Sequence, residues 1–250
     1  ADPVPTGSFD DLDLSPALRQ GVADAGFVEL RPIQAAALPA ALGGRDVLGL
    51  ARTGTGKTAA FALPILQRLE GRPAEAGRPR ALVLAPTREL ARQIEGDLVD
   101  LGRHLSVRMA AAYGGVKIDR QREALASGCD VLVACAGRLL DLVREGTCDL
   151  KEVEVLVLDE ADRMLDMGFI HDVKKVLALL PQNKQSLLFS ATFSDDVMNL
   201  AQQWTLDPAI VEIEPERAAS ANVTQQVYAV SGSDKYKLLY NLITQLNLER

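Results

Sequence analysis

Short, almost wholly apolar runs punctuate the chain, separated by longer stretches with helical periodicity. The runs fall at 47–50, 81–85, 107–112, 131–134, 153–158, 186–189 and 210–213. They are too short for helices and do not alternate with polar residues, which fits strands buried on both faces. Helical patterns occupy 15–25, 32–42, 58–69, 88–101, 117–126, 138–144, 170–180 and 195–204. Strands alternating with helices predict an α/β domain whose parallel sheet is covered on both sides. Ser15 followed by Pro16 reads as a helix start, and Gly26 and Gly43-Gly44 as stops. Residues 71–80, rich in Gly, Pro and Arg, read as a solvent loop. The pattern divides the chain into a domain over 1–214, a polar, alanine-rich linker over 215–222 and a tail over 223–250. The tail reads as one strand (223–230) and one helix (234–246), too little to close a core, and is taken as the start of a second domain.

Composition changes the picture modestly. At 250 residues and 48% hydrophobic, the chain can bury a sizeable core. No apolar run approaches the ~20 residues needed to span a bilayer, and the amino terminus lacks a basic-then-apolar leader pattern. Cys129, Cys135 and Cys148 are odd in number and lack metal-ligand spacing. They read as reduced thiols in a cytoplasmic protein without a membrane partner. A net charge of −7 argues mildly against a broad nucleic-acid surface, but leaves room for a local basic stripe. His104 and His171 are too far apart in sequence to suggest a local site.

Candidate chemistry concentrates in two stretches. Ala51-Arg52-Thr53-Gly54-Thr55-Gly56-Lys57-Thr58 follows the run at 47–50 and opens a helical pattern. In a strand–loop–helix context, glycines let successive N–H groups face one concavity, and the helix N-terminus adds its positive end. Lys57 would then reach the β- and γ-phosphates of a nucleotide and the Thr58 hydroxyl would ligate Mg²⁺. The usual first glycine of such a loop is Ala51 here. The bland alternative is a Gly/Thr-rich surface turn. The second stretch, Val155-Leu156-Val157-Leu158-Asp159-Glu160-Ala161-Asp162, is an apolar strand ending in consecutive carboxylates. Acids there lie in the crevice where α/β sheets bind ligands. Asp159 would hold Mg²⁺ and Glu160 would orient and deprotonate an attacking water. Alternatively, both acids simply suit the start of a helix.

The letters Asp-Glu-Ala-Asp at 159–162, together with the loop at 51–58, resemble a DEAD-box RNA helicase. Further blocks match in order. Phe9, Gly26-Phe27 and Pro32-Ile33-Gln34 resemble the adenine-reading Q motif, and Pro86-Thr87-Arg88-Glu89-Leu90-Ala91 resembles motif Ia. Gly114-Gly115 resembles the glycine pair and Ser190-Ala191-Thr192 motif III. The wording of 162–170 is similar to the bacterial RhlE and RhlB branches, and the linker and tail lean toward RhlB. The resemblance implies a RecA-like P-loop domain that uses ATP and Mg²⁺, with Gln34 reading adenine and Phe9 and Phe27 beside the base. It implies that Thr87, Arg88, Gly114, Gly115, Gly137 and Arg138 contact RNA without sequence preference. It further implies that Ser190 and Thr192 couple the nucleotide site to RNA through Asp162. Implied partners are RNA, a second RecA-like domain and an RNA-degrading or ribosome-assembling complex.

Two departures from that family stand out. Its Thr-Pro-Gly-Arg is Cys135-Ala136-Gly137-Arg138 here, and its Pro-Thr before Pro-Ile-Gln is Leu30-Arg31. A DNA translocase and a docking scaffold are the competing classes. The Q-motif residues and Asp-Glu-Ala-Asp argue against the first, and intact Lys57, Thr58, Asp159 and Glu160 against a dead scaffold.

Overall fold

The computed structural model describes residues 7–52, 54–213, 228–232 and 234–245. They fall into two units divided between Glu214 and Pro215. In the first unit every apolar run expected to be a strand is one. β1 (Val47–Leu50), β2 (Ala81–Leu84), β3 (Met109–Ala112), β4 (Val131–Ala134), β5 (Val155–Leu158), β6 (Gln185–Ser190) and β7 (Ala209–Glu212) form one sheet. Its order is β3-β4-β2-β5-β6-β1-β7, and every pairing is parallel.

Helices α1 (Pro16–Asp24) and α2 (Pro32–Leu42) precede the first strand, and between the strands run α3 (Lys57–Leu69), α4 (Arg88–Leu101), α5 (Ile118–Ala126), α6 (Ala136–Arg144), α7 (Ala161–Asp166), α8 (Ile170–Leu177) and α9 (Asp195–Trp204). Successive strand residues feed opposite layers, as a pleated strand requires. Val83, Val133 and Val157 pack with α1–α4, while Leu82, Leu132 and Leu156 pack with α5–α9. Helices on both faces explain why these strands carry no polar alternation.

Several boundaries differ from the sequence reading by one to three residues, and at β3 and β6 the local reason is visible. β3 begins at Met109, not 107, because the Arg108 N–H is taken by the buried Asp130 carboxylate. β6 extends one residue at each end, since Gln185 and Ser190 are buried and in register with their neighbours. Helix α7 and a 3-10 turn at Phe9–Asp11 are additions that periodicity over so few residues does not reveal. In the second unit, α10 (Lys235–Gln245) forms where a helix was expected. The linker over 215–222 and most of the expected strand at 223–230 lie outside the described residues, and 228–230 are not a strand.

Helix α1 docks on α4 through Gly21. A Cβ built there would lie 2.0 Å from the Leu101 carbonyl oxygen, a backbone atom with no freedom to move aside. Gly21→Ala is expected to cost about 3 kcal/mol through overpacking. That corresponds to a thermal midpoint lower by roughly 6–12 °C for a chain of this size. A midpoint within 2 °C of wild type would show that α1 shifts freely over α4.

Candidate functional site

With all strands parallel, their carboxyl ends share one edge of the sheet, and the candidate residues leave from that edge. Ala51 follows β1, Thr87 follows β2, Gly114-Gly115 follow β3, Cys135 follows β4, Asp159-Glu160 follow β5 and Ser190 ends β6. The topology thus gathers blocks that are far apart in sequence.

The loop after β1 begins with a tie to the sheet, Ala51 N–H to Ser190 O at 2.9 Å. Gly54 and Gly56 both have positive φ (83° and 89°), and Gly56 is the N-cap of α3. A side chain at 56 would also collide with Gln34 Nε2 (2.6 Å) and Arg31 Cδ (2.8 Å), so glycine is required twice over. Arg52 is exposed, and its carbonyl accepts from the Thr55 hydroxyl at 2.8 Å. Thr53 lies outside the described residues. Lys57 and Thr58 then open α3. Lys57 is 6% exposed, with Nζ 3.4 Å from Asp159 Oδ1. Its ammonium makes no hydrogen bond among the described residues. An unsatisfied buried ammonium facing a cleft of about 560 Å³ fits an anionic ligand.

Asp159, 3% exposed, immediately follows β5 and lines the cleft. Burial pushes its carboxyl above the ordinary value, and the Lys57 charge opposes that rise. Glu160 adopts the left-handed region (φ 54°, ψ 52°) and caps α7. A non-glycine residue held there stores about 1–2 kcal/mol of strain. The turn keeps the two adjacent carboxylates on the cleft wall. Glu160 Oε2 accepts from Arg163 Nη1 at 3.1 Å, one helical turn on. A hard-cation site built from Asp159 and the Thr58 hydroxyl fits this donor set, with remaining ligands coming from water and phosphate. Thr58 has a neighbour that periodicity alone does not suggest. Asp97 of α4 lines the same cleft, and burial raises its carboxyl while a hydrogen bond with Thr58 partly offsets the rise.

The candidate base-recognition residues divide into two kinds. Gln34 is fully buried, and its amide is already engaged: Oε1 accepts from Arg31 N at 2.8 Å, and Nε2 donates to Gly56 O at 2.9 Å. Phe9 is 3% exposed and meets Phe27 edge-on, with centroids 5.4 Å apart. Phe9 therefore presents no open face; it backs Phe27, which lines the cleft. His104 likewise is not isolated. Its ring nitrogen lies 2.7 Å from Asp24 at the cleft's far rim, and that bond holds the Asp24 carboxyl below its ordinary value.

Asp162 joins the ends of β5 and β6. Its Oδ2 accepts from Ala191 N (3.2 Å) and the Thr192 hydroxyl (3.4 Å), while the Ser190 hydroxyl donates to Thr192 O (2.7 Å). On the opposite half of the edge, Thr87 caps α4 by accepting from Leu90 N, and Arg88 pairs with Glu89. A Cβ at Gly115, which has φ 83°, would stand 3.0 Å from Arg88 Nη1. Arg138 Nη1 donates to Gln121 Oε1 (2.9 Å) and Val116 O (3.3 Å), and Gln121 in turn donates to Tyr113 O. Two arginines thus bracket the exposed glycine pair. Gln121, an inconspicuous mid-helix residue, is the link that sequence reasoning passes over.

At the variant block, α6 begins at Ala136 with Cys135 as an N-cap that makes no capping bond. Burial, with the nearby Glu89 charge, pushes the Cys135 thiol up to about 11, so it stays neutral and unreactive. Gly137 is exposed in the first turn of α6.

Comparison with known proteins agrees with this geometry. The curated protein "ATP-dependent RNA helicase RhlB" of Pseudomonas aeruginosa (strain UCBPP-PA14) is 53% identical over 249 residues, covering 97% of this chain and 63% of that protein. The protein of the same name from Xanthomonas oryzae pv. oryzae is 47% identical, covering 97% of this chain and 44% of that protein. The chain thus spans less than two thirds of the length of these relatives. A crystal structure of a DEAD box protein from the hyperthermophile Methanococcus jannaschii superimposes with a TM-score of 0.77 at 34% identity, over 94% of this chain and 63% of that one. The architecture is accordingly the RecA-like domain of that neighbour. The profile of the DEAD/DEAH box helicases matches residues 31–200, and the chain belongs to that family.

Proposed function

We propose that this chain is the nucleotide-binding part of an ATP-dependent RNA helicase, in which ATP hydrolysis drives local opening of RNA. The observation that carries the reading is the buried Lys57 ammonium, unsatisfied and beside Asp159 on the cleft wall. Lys57 and the loop amides over 51–58 would hold the phosphates of ATP. Phe27, backed by Phe9, would receive adenine, with Gln34 reading its edge through the one N–H and one lone pair that its bonds to Gly56 and Arg31 leave over. Mg²⁺, held by Thr58 and Asp159, would align the phosphates and neutralise their charge. The Glu160 carboxylate would take the proton of the attacking water.

The hydrogen bonds from Ala191 and Thr192 to Asp162 support a coupling role, since they connect the end of β5, which carries Asp159 and Glu160, to the end of β6. Thr87, Arg88, Gly114, Gly115, Gly137 and Arg138 would meet RNA at phosphate and sugar, which gives binding without sequence preference. Residues 1–214 form the proposed RecA-like domain, 215–222 its linker and 223–250 the beginning of a second such domain. That domain, and an RNA-processing complex in the cytoplasm, are the proposed partners.

The test is displacement of a fluorescent ADP analogue in the presence of Mg²⁺. ATP is expected to displace the probe at least tenfold better than GTP, the worth of about one net hydrogen bond to a charged or well-placed group. Gln34→Ala should bring the two nucleotides together. Equal displacement by GTP from the wild-type protein, or no binding at millimolar nucleotide, would overturn the reading.

A further inference from the structure

The structure assigns Arg31 as a positioning residue for the phosphate loop: a latch whose guanidinium fastens the loop from outside. This inference rests on the nucleotide-binding reading and concerns the residue by which the chain departs from the family's small polar one.

Arg31 is the N-cap of α2, immediately before Pro32. Its Nη1 donates to Gly54 O at 2.7 Å. Gln34, at the third position of α2, donates from Nε2 to Gly56 O at 2.9 Å. The Gln34 side chain is itself tied to the start of the helix, because its Oε1 accepts from the Arg31 backbone N–H at 2.8 Å. Alternate carbonyls of the loop, 54 and 56, are therefore both bound by the start of α2. A carbonyl held outward toward α2 is removed from the concavity that the loop N–H groups must line. Both glycines have positive φ, so nothing in their own side chains holds this conformation. Inside the loop the Thr55 hydroxyl ties back to Arg52 O, and the start of α2 adds two fastenings from outside. The Arg31 stem also closes over Gly56, where a Cβ would lie 2.8 Å from its Cδ.

Length decides what can do this. The donor that reaches Gly54 O stands at the far end of a long side chain, whereas the hydroxyl of a threonine is one atom beyond Cβ. The cation is thus a second fastening point beside Gln34 and not an obstruction to nucleotide. A preorganised loop loses less freedom when phosphate binds, so the latch raises affinity through the loop, from a position on the cleft's own lining.

The test combines hydrogen–deuterium exchange with ADP titration on wild type, Arg31→Thr and Arg31→Lys. In the ligand-free protein, Arg31→Thr is expected to speed exchange in the 51–58 loop while leaving β1 and the thermal midpoint unchanged. ADP binding should weaken about five- to tenfold, as for loss of one charge-assisted bond at a partly exposed site. Arg31→Lys, which retains a cationic donor, should fall between the two. Unchanged loop exchange, or ADP binding in Arg31→Thr as tight as in wild type, overturns the latch. If wild type binds ADP and Lys57→Ala does not, that failure belongs to the latch alone. If wild type binds no ADP, the nucleotide reading fails with it.

Discussion

Lys57→Ala is expected to weaken ATP and ADP binding at least a hundredfold. Its ammonium is the cleft's unsatisfied cation, and two charge-assisted bonds to phosphate are worth about 3 kcal/mol or more together. The protein should nevertheless stay folded. Asp159 loses the one counter-charge that pairs with it among the described residues, at 3.4 Å, but its carboxyl is already pushed up by burial and can meet the loss by taking a proton. Isothermal titration with ADP and Mg²⁺ reads the first effect. Thermal melts read the second: the midpoint without ligand should persist while the ADP-induced rise disappears. A normal ADP-induced rise in Lys57→Ala would remove the phosphate-binding role of the loop.

Glu160→Gln should have the opposite profile. Binding of ATP and ADP is expected to remain within about threefold of wild type, because the amide keeps the shape and still accepts a hydrogen bond from Arg163. RNA-stimulated hydrolysis by the full-length protein should fall by roughly 10²- to 10⁴-fold, the range for loss of a general base. The assay measures phosphate release at saturating ATP, paired with nucleotide titration of the same variant. Hydrolysis within threefold of wild type would assign the proton transfer elsewhere. Tight binding without turnover also separates this variant from Lys57→Ala, although the two residues lie on one cleft.

Much of this architecture is legible in one dimension because burial on both faces leaves a signature in each strand. Val-Leu-Val-Leu at 155–158 cannot serve as a half-exposed strand, and its neighbours Ala81–Leu84 and Val131–Ala134 read alike. Such strands are central in a covered parallel sheet. Helices α4 and α9 have the bounds that periodicity foretells, and the structure adds their caps, with Thr87 accepting from Leu90 N and Ser194 from Val197 N. The acidic pair and the glycine loop are also visible, since each sits immediately after an apolar strand.

What the chain alone determines, then, is the local element and the chemical type at each strand end. Periodicity, caps and turn residues act over a few neighbours, and those suffice. Which ends become neighbours was decided by the tertiary structure. The order β5-β6-β1 brings Asp159 to Lys57 and Asp162 to Thr192, although 102 and 30 positions separate them in sequence. Burial was decided there too. Phe9 reads as an open aromatic face, yet the packing of its turn turns it inward against Phe27. Arg31 reads only as a departure from the family's threonine, yet the approach of α2 to the glycine loop makes it a fastening for Gly54. Long side chains act at their far ends, and where those ends arrive depends on elements that meet only when the sheet is assembled.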